Sequence, residues 1–463
     1  MGGHGMLSAD IFREYDIRGD VGTDLTPEAF EAIGRAFGSI LRERGVGRMC
    51  VGRDLRNSSP GLSAGFTDGV LSTGVDVDDL GVILTPTLYF AMNALDYPAG
   101  AIVTGSHNPA HMNGLKVGIG HATLYGEEIQ ALRRRAENGP YATGSGRLRV
   151  ADPIPRYLDD LKGRITLDRP LKVVVDPGHG TAALYGPRFV RSLGAQVVPL
   201  FCDPDPSFPD HFPDPSDPRN LADLQRAVVE SGADVGLAFD GDADRLGAVD
   251  DRGHIVTGDQ LMALFWREVL AAHPGAPAIV EVKSSQMVWD EIVAHGGQPF
   301  FWRTGHSLIK AKMREVGAVF AGELSGHFFF GDEFWGYDDA LYAAGRLLRQ
   351  VARSGRSLSA MTADMAVRPA TPEVRVDCPD ARKFDVVAKV AEALGREHEV
   401  VTVDGVRARF GTGWGLVRAS NTQPVLVLRA EADDASGLAA IESALAAALS
   451  AFPEVAPVDW PPA

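Results

Sequence analysis

The sequence has few cysteines and no long apolar run, and each shortage argues against a class of protein. Its three cysteines, Cys50, Cys202 and Cys378, lie far apart among 463 residues and form no Cys-x-x-Cys pair. This argues against a disulfide framework and a structural zinc site, and it favours a reducing compartment, the cytoplasm. No stretch approaches the ~18 apolar residues of a membrane-spanning helix. Residues 1–10 lack the basic-then-apolar pattern of a signal peptide.

Positive charge is also in deficit, since the formal net charge is -16. A nucleic-acid binder usually presents a basic face, so we expect no nucleic-acid partner. A phosphate-ester substrate would need a site that gathers its own cations against the overall field. The length predicts about three or four domains, and a hydrophobic content of 45% is ordinary for a globular protein.

One order of elements occurs three times: a strand, a helix, a glycine and a second strand. The first strands of the three copies are expected at 49–51, 171–175 and 278–282. This order is typical of parallel α/β folding. Each copy also has an apolar strand that runs into a polar loop, and these loops read TGSHNP, DGDADR and GELSGH. Because ligands of open α/β sheets lie beyond the carboxyl ends of strands, the three loops could face one cleft.

The C-terminal part has a different pattern. Extended segments are expected at 374–376, 400–403, 415–418 and 425–429, and helices at 384–394 and 438–449. That order predicts a small α+β domain rather than a fourth copy. The predicted fold is therefore α/β with four domains, in which three related α/β domains with mixed sheets and a C-terminal α+β domain surround a central active-site cleft. The predicted domains are 1–151, 152–252, 253–366 and 367–463.

The first polar loop, 104–109, offers a nucleophile. Gly105 and the Asn-Pro pair predict a tight turn that raises the Ser106 side chain. His107 is adjacent and Lys116 follows shortly, a setting that suits a serine that carries a phosphoryl group. A polar surface turn would explain the same residues.

The second loop, 240–245, predicts a cation site. Alternate residues of an extended loop point the same way, so Asp240, Asp242 and Asp244 could converge on one hard cation. The loop lacks the glycine and glutamate spacing of an EF-hand. Three carboxylates would leave positions open on a catalytic magnesium ion. The alternative is a solvated acidic turn.

Two further loops suit a phosphosugar. Glu323, Ser325 and His327 could bind sugar hydroxyls, although a loop-capping network would use the same residue types. The turn at 418–422 combines a guanidinium, two hydroxyls and an amide, which is typical of a phosphate cradle. Further candidate cations, each of which could equally be an ordinary surface charge, are Arg18, Lys283, Arg303, His306 and Lys310.

At these four loops, and at 12–19 (FREYDIRG), the chain resembles the α-D-phosphohexomutase family, and within it the bacterial phosphomannomutase/phosphoglucomutases. The resemblance covers essentially the whole chain, with the motifs in family order. Gly105 and the sequence GELSGH favour this subfamily over phosphoglucosamine mutases, which commonly have glutamine before the serine. Leu324 stands where the family form has methionine, a mild departure.

The resemblance implies a role for each matching residue. Ser106 becomes the phosphoserine and also ligates the metal, and the other magnesium ligands are Asp240, Asp242 and Asp244. The other catalytic residues are Arg18, His107, Lys116, Arg245 and His306. The substrate-binding residues are Tyr15, Lys283, Glu323, Ser325, His327, Arg418, Ser420, Asn421 and Thr422.

The implied activity interconverts hexose 1-phosphate and hexose 6-phosphate, with mannose or glucose as the sugar and a hexose 1,6-bisphosphate as intermediate and activator. The implied partners are hexose phosphates, without a membrane or nucleic acid, for a monomer or weak dimer whose fourth domain rotates to close the cleft. Lys116, His306 and Arg18 are candidates for the general base. The alternatives are a phosphoglucosamine mutase, a phosphatase and a non-catalytic phosphosugar-binding protein.

Overall fold

The computed structural model describes residues 7–421 and 423–461, which form four β-sheets, each built from one continuous part of the chain. Within these described ranges no helix combines the length and the apolar character needed to span a membrane. Three of the sheets are mixed and the fourth is antiparallel. We call the four sheets with their helices domains I to IV.

Domain I contains a seven-stranded sheet. Its strands are β1 (Ile17–Asp20), β2 (Arg48–Arg53), β3 (Asp76–Val82), β4 (Ala99–Val103), β5 (Met112–Ile119), β6 (Ala122–Thr123) and β7 (Leu148–Val150). Its helices are α1 (Pro27–Glu43), α2 (Ser59–Leu71), α3 (Thr85–Ala94) and α4 (Glu127–Asn138). The order is β1-β5-β4-β2-β3-β7, with β6 beside β5. The strand β4 is parallel to β2 and antiparallel to β5, so the loop that follows β4 is the connection of a hairpin.

Domain II contains a five-stranded sheet in the order β12-β11-β10-β8-β9. Its strands are β8 (Lys172–Asp176), β9 (Gln196–Pro199), β10 (Val235–Phe239), β11 (Leu246–Asp250) and β12 (Ile255–Val256). Its helices are α5 (Ile154–Arg164), α6 (Gly186–Ser192) and α7 (Ala222–Ser231). The strand β10 is parallel to β8 and antiparallel to β11.

Domain III contains a four-stranded sheet in the order β14-β13-β15-β16. Its strands are β13 (Pro277–Glu281), β14 (Gln298–Trp302), β15 (Phe320–Gly322) and β16 (Phe328–Phe330). Its helices are α8 (Gly258–Ala272), α9 (Gln286–Ala294), α10 (His306–Val316), α11 (Ala340–Ser354) and α12 (Leu358–Thr362). Again a strand parallel to its neighbour, β15, turns into an antiparallel hairpin.

Domain IV is the α+β unit, with an antiparallel sheet in the order β17-β21-β20-β19-β18. Its strands are β17 (Val374–Asp377), β18 (Glu399–Val401), β19 (Val406–Phe410), β20 (Gly413–Ala419) and β21 (Val425–Ala432). Its helices are α13 (Asp380–Leu394) and α14 (Ala435–Leu449). Domain IV has a hydrophobic core of its own, whereas the largest buried cluster continues through domains I, II and III.

Local sequence explains where the first helix lies. The Thr26 hydroxyl accepts a hydrogen bond from the Ala29 amide at 3.2 Å, and Pro27 takes the first helical position, where no amide hydrogen is needed. The side chains of Phe30, Ile33, Phe37 and Leu41, at helical spacing, are fully buried. This is the face that the sequence predicts.

The second copy of the repeat departs from expectation. The sequence predicts one helix from the end of the first strand to Gly194, but the structure has a short 3-10 turn, Thr181–Leu184, and then the seven-residue α6. Pro177 together with Gly178, which has a φ of 50°, keeps the intervening chain from continuing as a helix.

Candidate active site

The first predicted loop follows β4 and presents Ser106 at a turn. Ser106 has a φ of 48°, the left-handed region that an L residue adopts only when its surroundings hold it there. The Gly105 amide donates to Asp54 Oδ2 at 2.9 Å, and the Ser106 amide donates to Thr104 Oγ1 at 3.0 Å. These bonds fix the backbone on both sides of the serine, which is almost fully buried.

The second loop follows β10 and is a tight turn rather than the extended segment that the alternation of its carboxylates predicts. Ala243 has a φ of 59°. Asp240 Oδ1 accepts the amides of Asp244 and Arg245, at 3.0 and 3.2 Å, and so folds the loop back on itself. The carboxylates nevertheless converge, because the turn brings alternate side chains to its inner side.

The two loops meet at a cluster of buried oxygens. One carboxylate oxygen each from Asp240, Asp242 and Asp244 lies within 4.8 Å of the others. The Ser106 hydroxyl donates to Asp240 Oδ2 at 2.7 Å. Asp242 Oδ1 and Asp244 Oδ1 are buried and accept no hydrogen bond from any described residue. Unpaired buried carboxylate oxygens are costly, and an all-oxygen set suits a hard divalent cation, so these residues fit a metal.

The electrostatics of the cluster also favour a bound cation. Burial, with Asp244 and Asp242 adding to it, raises the pKa of Asp240 well above its usual range. Lys116 is buried, and its Nζ lies 2.5 Å from Asp244 Oδ2 and 3.1 Å from Asp242 Oδ2. Burial acts to lower the pKa of Lys116, but the two carboxylates outweigh it and raise that pKa well above its usual range. One lysine therefore faces three carboxylates, which leaves negative charge for a cation to neutralise.

Behind the loop 240–245, Arg245, two histidines and Asp338 form a second polar group. Arg245 Nε donates to His327 Nε2 at 3.0 Å, so this nitrogen is the acceptor of the ring and the His327 proton sits on Nδ1. His327 Nδ1 lies 3.1 Å from Asp338 Oδ2, and His306 Nδ1 lies 3.7 Å from the same oxygen. The two imidazoles stack with centroids 5.6 Å apart. The Asp338 carboxylate therefore lies close to both rings.

Two of the histidines are neutral at physiological pH. Burial, followed by the charges of Arg245 and Arg18, lowers the pKa of His107 well below its usual range. Burial and the charge of Lys310 do the same for His306. His306 Nε2 is buried and makes no hydrogen bond within the described ranges. This nitrogen is therefore available for a hydrogen bond with a bound group.

The third loop presents Glu323 after β15. Glu323 Oε1 accepts the Gly305 amide at 2.7 Å, and burial, with Glu281 adding to it, raises the Glu323 pKa. Ser325, next to Gly326 with a φ of 94°, is half-buried. Tyr15 packs edge-on against His306, with ring centroids 5.1 Å apart. The third loop also contacts the second, because the Leu246 amide donates to the Gly326 carbonyl at 3.0 Å.

Cations gather at the junction of domains III and IV. Lys283 Nζ lies 3.2 Å from Glu281 Oε1 and 2.5 Å from Glu373 Oε1. Arg418 Nε donates to Asp404 Oδ2 at 3.0 Å, and the Thr304 amide donates to the same oxygen at 3.1 Å. The junction therefore holds two buried cations, each against carboxylates.

The rest of the predicted phosphate cradle lies beside Arg418. Ser420 is buried and its carbonyl accepts the Lys383 ammonium at 2.6 Å. Asn421 lines an open depression with Glu14 and Lys383. Thr422 lies outside the described residues.

Three other predicted cations differ in position. Arg18 Nε donates to Asp16 Oδ2 at 2.6 Å, and the charge of Arg18 acts on His107, the neighbour of Ser106 in sequence. Lys310 is turned to Asp338 Oδ1 at 2.8 Å, behind the histidines. Arg303 is exposed and donates to the Val403 carbonyl at 3.0 Å, so it is not part of the cluster.

Sequence reasoning missed Asp338, Glu281, Glu373 and Asp404. Glu281 is the last residue of β13, and the rule that polar groups at carboxyl ends of strands face a ligand could have identified it. Asp338 directly precedes Asp339, whose side chain caps α11, so the pair resembles an ordinary helix start. Glu373 and Asp404 lie in connections, where a carboxylate carries no distinguishing signal.

Comparison with known proteins identifies sequences with the same architecture. Family models for phosphoglucomutase/phosphomannomutase match in chain order: α/β/α domain I at residues 9–142, domain II at 155–253, domain III at 257–367 and the C-terminal domain at 373–448. The chain is 44% identical over 459 residues to a phosphomannomutase/phosphoglucomutase of Pseudomonas aeruginosa, which covers 98% of each sequence. It is 40% identical over 461 residues to a phosphoglucomutase of Neisseria gonorrhoeae, with 98% and 99% covered.

A solved structure is similar over the same extent. The crystal structure of a phosphoglucomutase/phosphomannomutase family protein from Burkholderia thailandensis aligns with a TM-score of 0.92 at 41% identity. The alignment covers 98% of this chain and 100% of that one. The agreement therefore extends to all four domains.

Proposed function

Because the chain belongs to the phosphoglucomutase/phosphomannomutase family, we propose that Ser106 carries the phosphoryl group that this phosphohexomutase moves between O1 and O6 of a hexose phosphate. The observation that supports the assignment best is the position of the Ser106 hydroxyl, 2.7 Å from Asp240 Oδ2 at the edge of the three-carboxylate cluster. A phosphoryl group on this oxygen would lie beside the cation that the carboxylates hold.

We further propose that the cation is magnesium, held by Asp240, Asp242 and Asp244. Three monodentate carboxylates leave coordination positions for phosphate oxygens, which is how Mg²⁺ is usually bound at phosphoryl-transfer sites. Bound there, magnesium would neutralise charge on the transferring phosphoryl group. Lys116 supplies a further positive charge at the same place.

The residues of the chain then orient the transfer. In the forward half-reaction a hydroxyl of the sugar attacks the phosphorus and the bond from phosphorus to Ser106 Oγ breaks. The hydroxyl proton must go to a base, and Ser106 Oγ takes up a proton, which it loses again in the second half-reaction. His306 Nε2, neutral and without a partner among the described residues, is the acceptor that we propose. In the second half-reaction the other phosphoryl group returns to Ser106 and a proton returns to the sugar oxygen.

The distal cations hold the end of the substrate that does not react. We propose that Arg418, Ser420, Asn421 and Thr422, with Lys283, bind that phosphate, while Glu323, Ser325, His327 and Tyr15 contact the sugar. A guanidinium and an ammonium bind a phosphate irrespective of the ring that carries it. A site that binds phosphate alone accepts either end of a hexose 1,6-bisphosphate, which the turnaround of that intermediate requires.

The test is product analysis with glucose 1-phosphate and with mannose 1-phosphate, each with magnesium and a trace of the corresponding 1,6-bisphosphate. We expect the 6-phosphate to form, a chelator to abolish it, and Ser106→Ala to abolish it while the protein still binds substrate. Release of free phosphate would instead identify a phosphatase. Turnover of glucosamine 1-phosphate in preference to both sugars would identify a phosphoglucosamine mutase, and absence of all turnover with intact binding would identify a binding protein.

A further inference from the structure

The loop that carries Ser106 is held from behind by a buried arginine that no sequence motif singled out. Arg56 is 2% exposed, and its guanidinium donates to four carbonyl oxygens of residues 106–112. Nη2 donates to Ser106 O at 2.8 Å and to Asn108 O at 2.5 Å. Nη1 donates to Pro109 O at 2.7 Å and to Met112 O at 3.1 Å. The loop therefore wraps around one side chain.

The fifth donor of Arg56 is also engaged. Nε lies 3.2 Å from Asp54 Oδ2, the same oxygen that accepts the Gly105 amide at 2.9 Å. A guanidinium holds its N–H donors in one fixed plane, so the directions of the four on Nη1 and Nη2 set where the loop carbonyls lie. Nothing in these contacts reaches the Ser106 hydroxyl, which points to Asp240 instead.

Space around the guanidinium is tight. A methyl group added at Gly105 would lie 2.4 Å from Arg56 Nε and 2.5 Å from its Cζ. Glycine at 105 is therefore required by the position of the arginine. Ser106 itself has a φ of 48°, a conformation that costs about 1–2 kcal/mol and persists only where neighbours impose it.

We propose that Arg56 is a positioning residue: its four Nη donors, with the ion pair of Nε to Asp54, hold the left-handed turn that aims Ser106 Oγ at the metal cluster. This inference rests on the proposed role of Ser106 as phosphoryl carrier. The guanidinium acts through its planar geometry rather than through its charge. A lysine, with three donors on a flexible stem, keeps the charge and loses the geometry.

The first experiment compares R56K with the wild-type protein and with R346K. Arg346 is a matched control, since it is 1% exposed, ion-pairs with Glu268 and Asp332, and lies in α11 away from the serine. Both substitutions should lower the melting temperature. Only R56K should lower kcat, by about 100-fold with little change in KM, because a displacement of about 1 Å at the reacting group costs that much. Only R56K should broaden or split the ³¹P resonance of the phosphoserine.

A second variant, G105A, displaces the guanidinium without removing it. We expect a loss of kcat similar to that of R56K, and we expect the double variant to be no worse than the poorer single one, because both act on one contact. If the kcat of the double variant falls by the product of the two single losses, the proposal is overturned. A kcat of R56K equal to that of R346K would also overturn it. G105A carries the test alone if R56K does not fold.

Hydrogen exchange of residues 104–112 gives a readout that needs no activity. R56K and G105A should accelerate exchange there, and R346K should not. If the wild-type protein takes up no phosphate on Ser106 and yet these exchange rates differ as expected, the proposed function fails and the positioning role stands. If the wild-type protein is an active mutase and the exchange rates of R56K match those of R346K, the positioning role fails alone.

Discussion

Replacing Lys116 by methionine changes the charge of the proposed metal site by one unit at nearly constant side-chain length. With all three carboxylates ionised, as a bound cation requires, they and the ammonium, which lies 2.5 and 3.1 Å from two of them, sum to −2. A single divalent cation brings this sum to zero. In K116M the same ionised carboxylates sum to −3, and the cation leaves −1. The variant should therefore be less stable without metal and should bind metal more tightly.

The magnitudes follow from burial. Lys116 is 4% exposed, and removal of one partner from a buried ion pair costs about 3–5 kcal/mol. We expect a drop of roughly 5–10 °C in the melting temperature of chelator-treated protein. A unit charge a few ångströms from the cation contributes about 1–4 kcal/mol, so the dissociation constant for Mg²⁺ should fall on the order of tenfold. The value of kcat should fall at least ~100-fold, since the ammonium no longer neutralises the phosphoryl group.

The assay is thermal melting of chelator-treated protein during titration with magnesium. Lys310→Met is the matched control, because Lys310 is 5% exposed and pairs with Asp338 at 2.8 Å outside the carboxylate cluster. It should lower the melting temperature of the metal-free protein and change Mg²⁺ affinity less than K116M does, because Lys310 pairs with Asp338 rather than with a carboxylate of the 240–244 cluster. If K116M and K310M bind Mg²⁺ equally, the charge count is wrong. If metal-free K116M has the same melting temperature as the metal-free wild-type protein, the ion pair contributes nothing to stability and the reasoning is refuted.

Two further substitutions test the distal cations. R418K should raise the KM for hexose 1-phosphate about 10- to 100-fold with a smaller effect on kcat, because lysine cannot form the paired hydrogen bonds of a guanidinium. Initial-rate kinetics measure both constants, and an unchanged KM would contradict the prediction. For Glu373, burial acts to raise the pKa, but Lys283 outweighs it and lowers the pKa to about 2. Because the folded pKa is depressed, this carboxylate stabilises the protein by about 3 kcal/mol at most above pH ~4.5, and that contribution is lost as the pH falls toward 2. The melting temperature of E373Q should thus fall less than that of the wild type between about pH 5 and pH 3. If the melting temperatures of the two proteins fall in parallel over this range, the Lys283–Glu373 ion pair does not make the expected contribution.

Much of the fold could be predicted because its signals are local. The periodic face of α1 and the glycines between helices and strands depend on residues within one or two turns. The predicted family and the four-domain α/β architecture are confirmed by the matching family models and by the aligned crystal structure. The boundaries at 151, 252 and 366 stay predictions.

In the candidate site, too, the residues with a local sequence signal are the ones that the sequence predicts. The sequence predicts Ser106 and the three aspartates as site residues because each lies in a short motif after an apolar strand. Asp240 shows the limit of such reasoning, since it folds its loop into a turn by accepting two amides, and alternation in an extended chain would not require that. The convergence was anticipated for a reason that does not hold in the structure.

Residues that act on a distant part of the chain could not be identified. Arg56 reaches carbonyls 50 or more residues away, and Asp338 faces a histidine from another element, so neither has a neighbour in sequence that marks it. Such residues are found only when the fold brings the partners together. An arginine in a loop is far more often exposed than buried, and composition gives no means of telling the two apart.

The acidity of the chain and the arrangement of its cations have one explanation. Each domain contributes at least one candidate cation, and among these are Lys116, Arg245, Lys283 and Arg418. Three of them face carboxylates that compensate their charge before any substrate arrives, and Arg245 donates to His327. A hexose bisphosphate bound as proposed would contact cations at both of its phosphates only with all four domains present, so no loop taken alone could indicate the activity. The order of the four loops along one chain could indicate it, because that order combines the proposed nucleophile, metal cluster, sugar site and distal phosphate site.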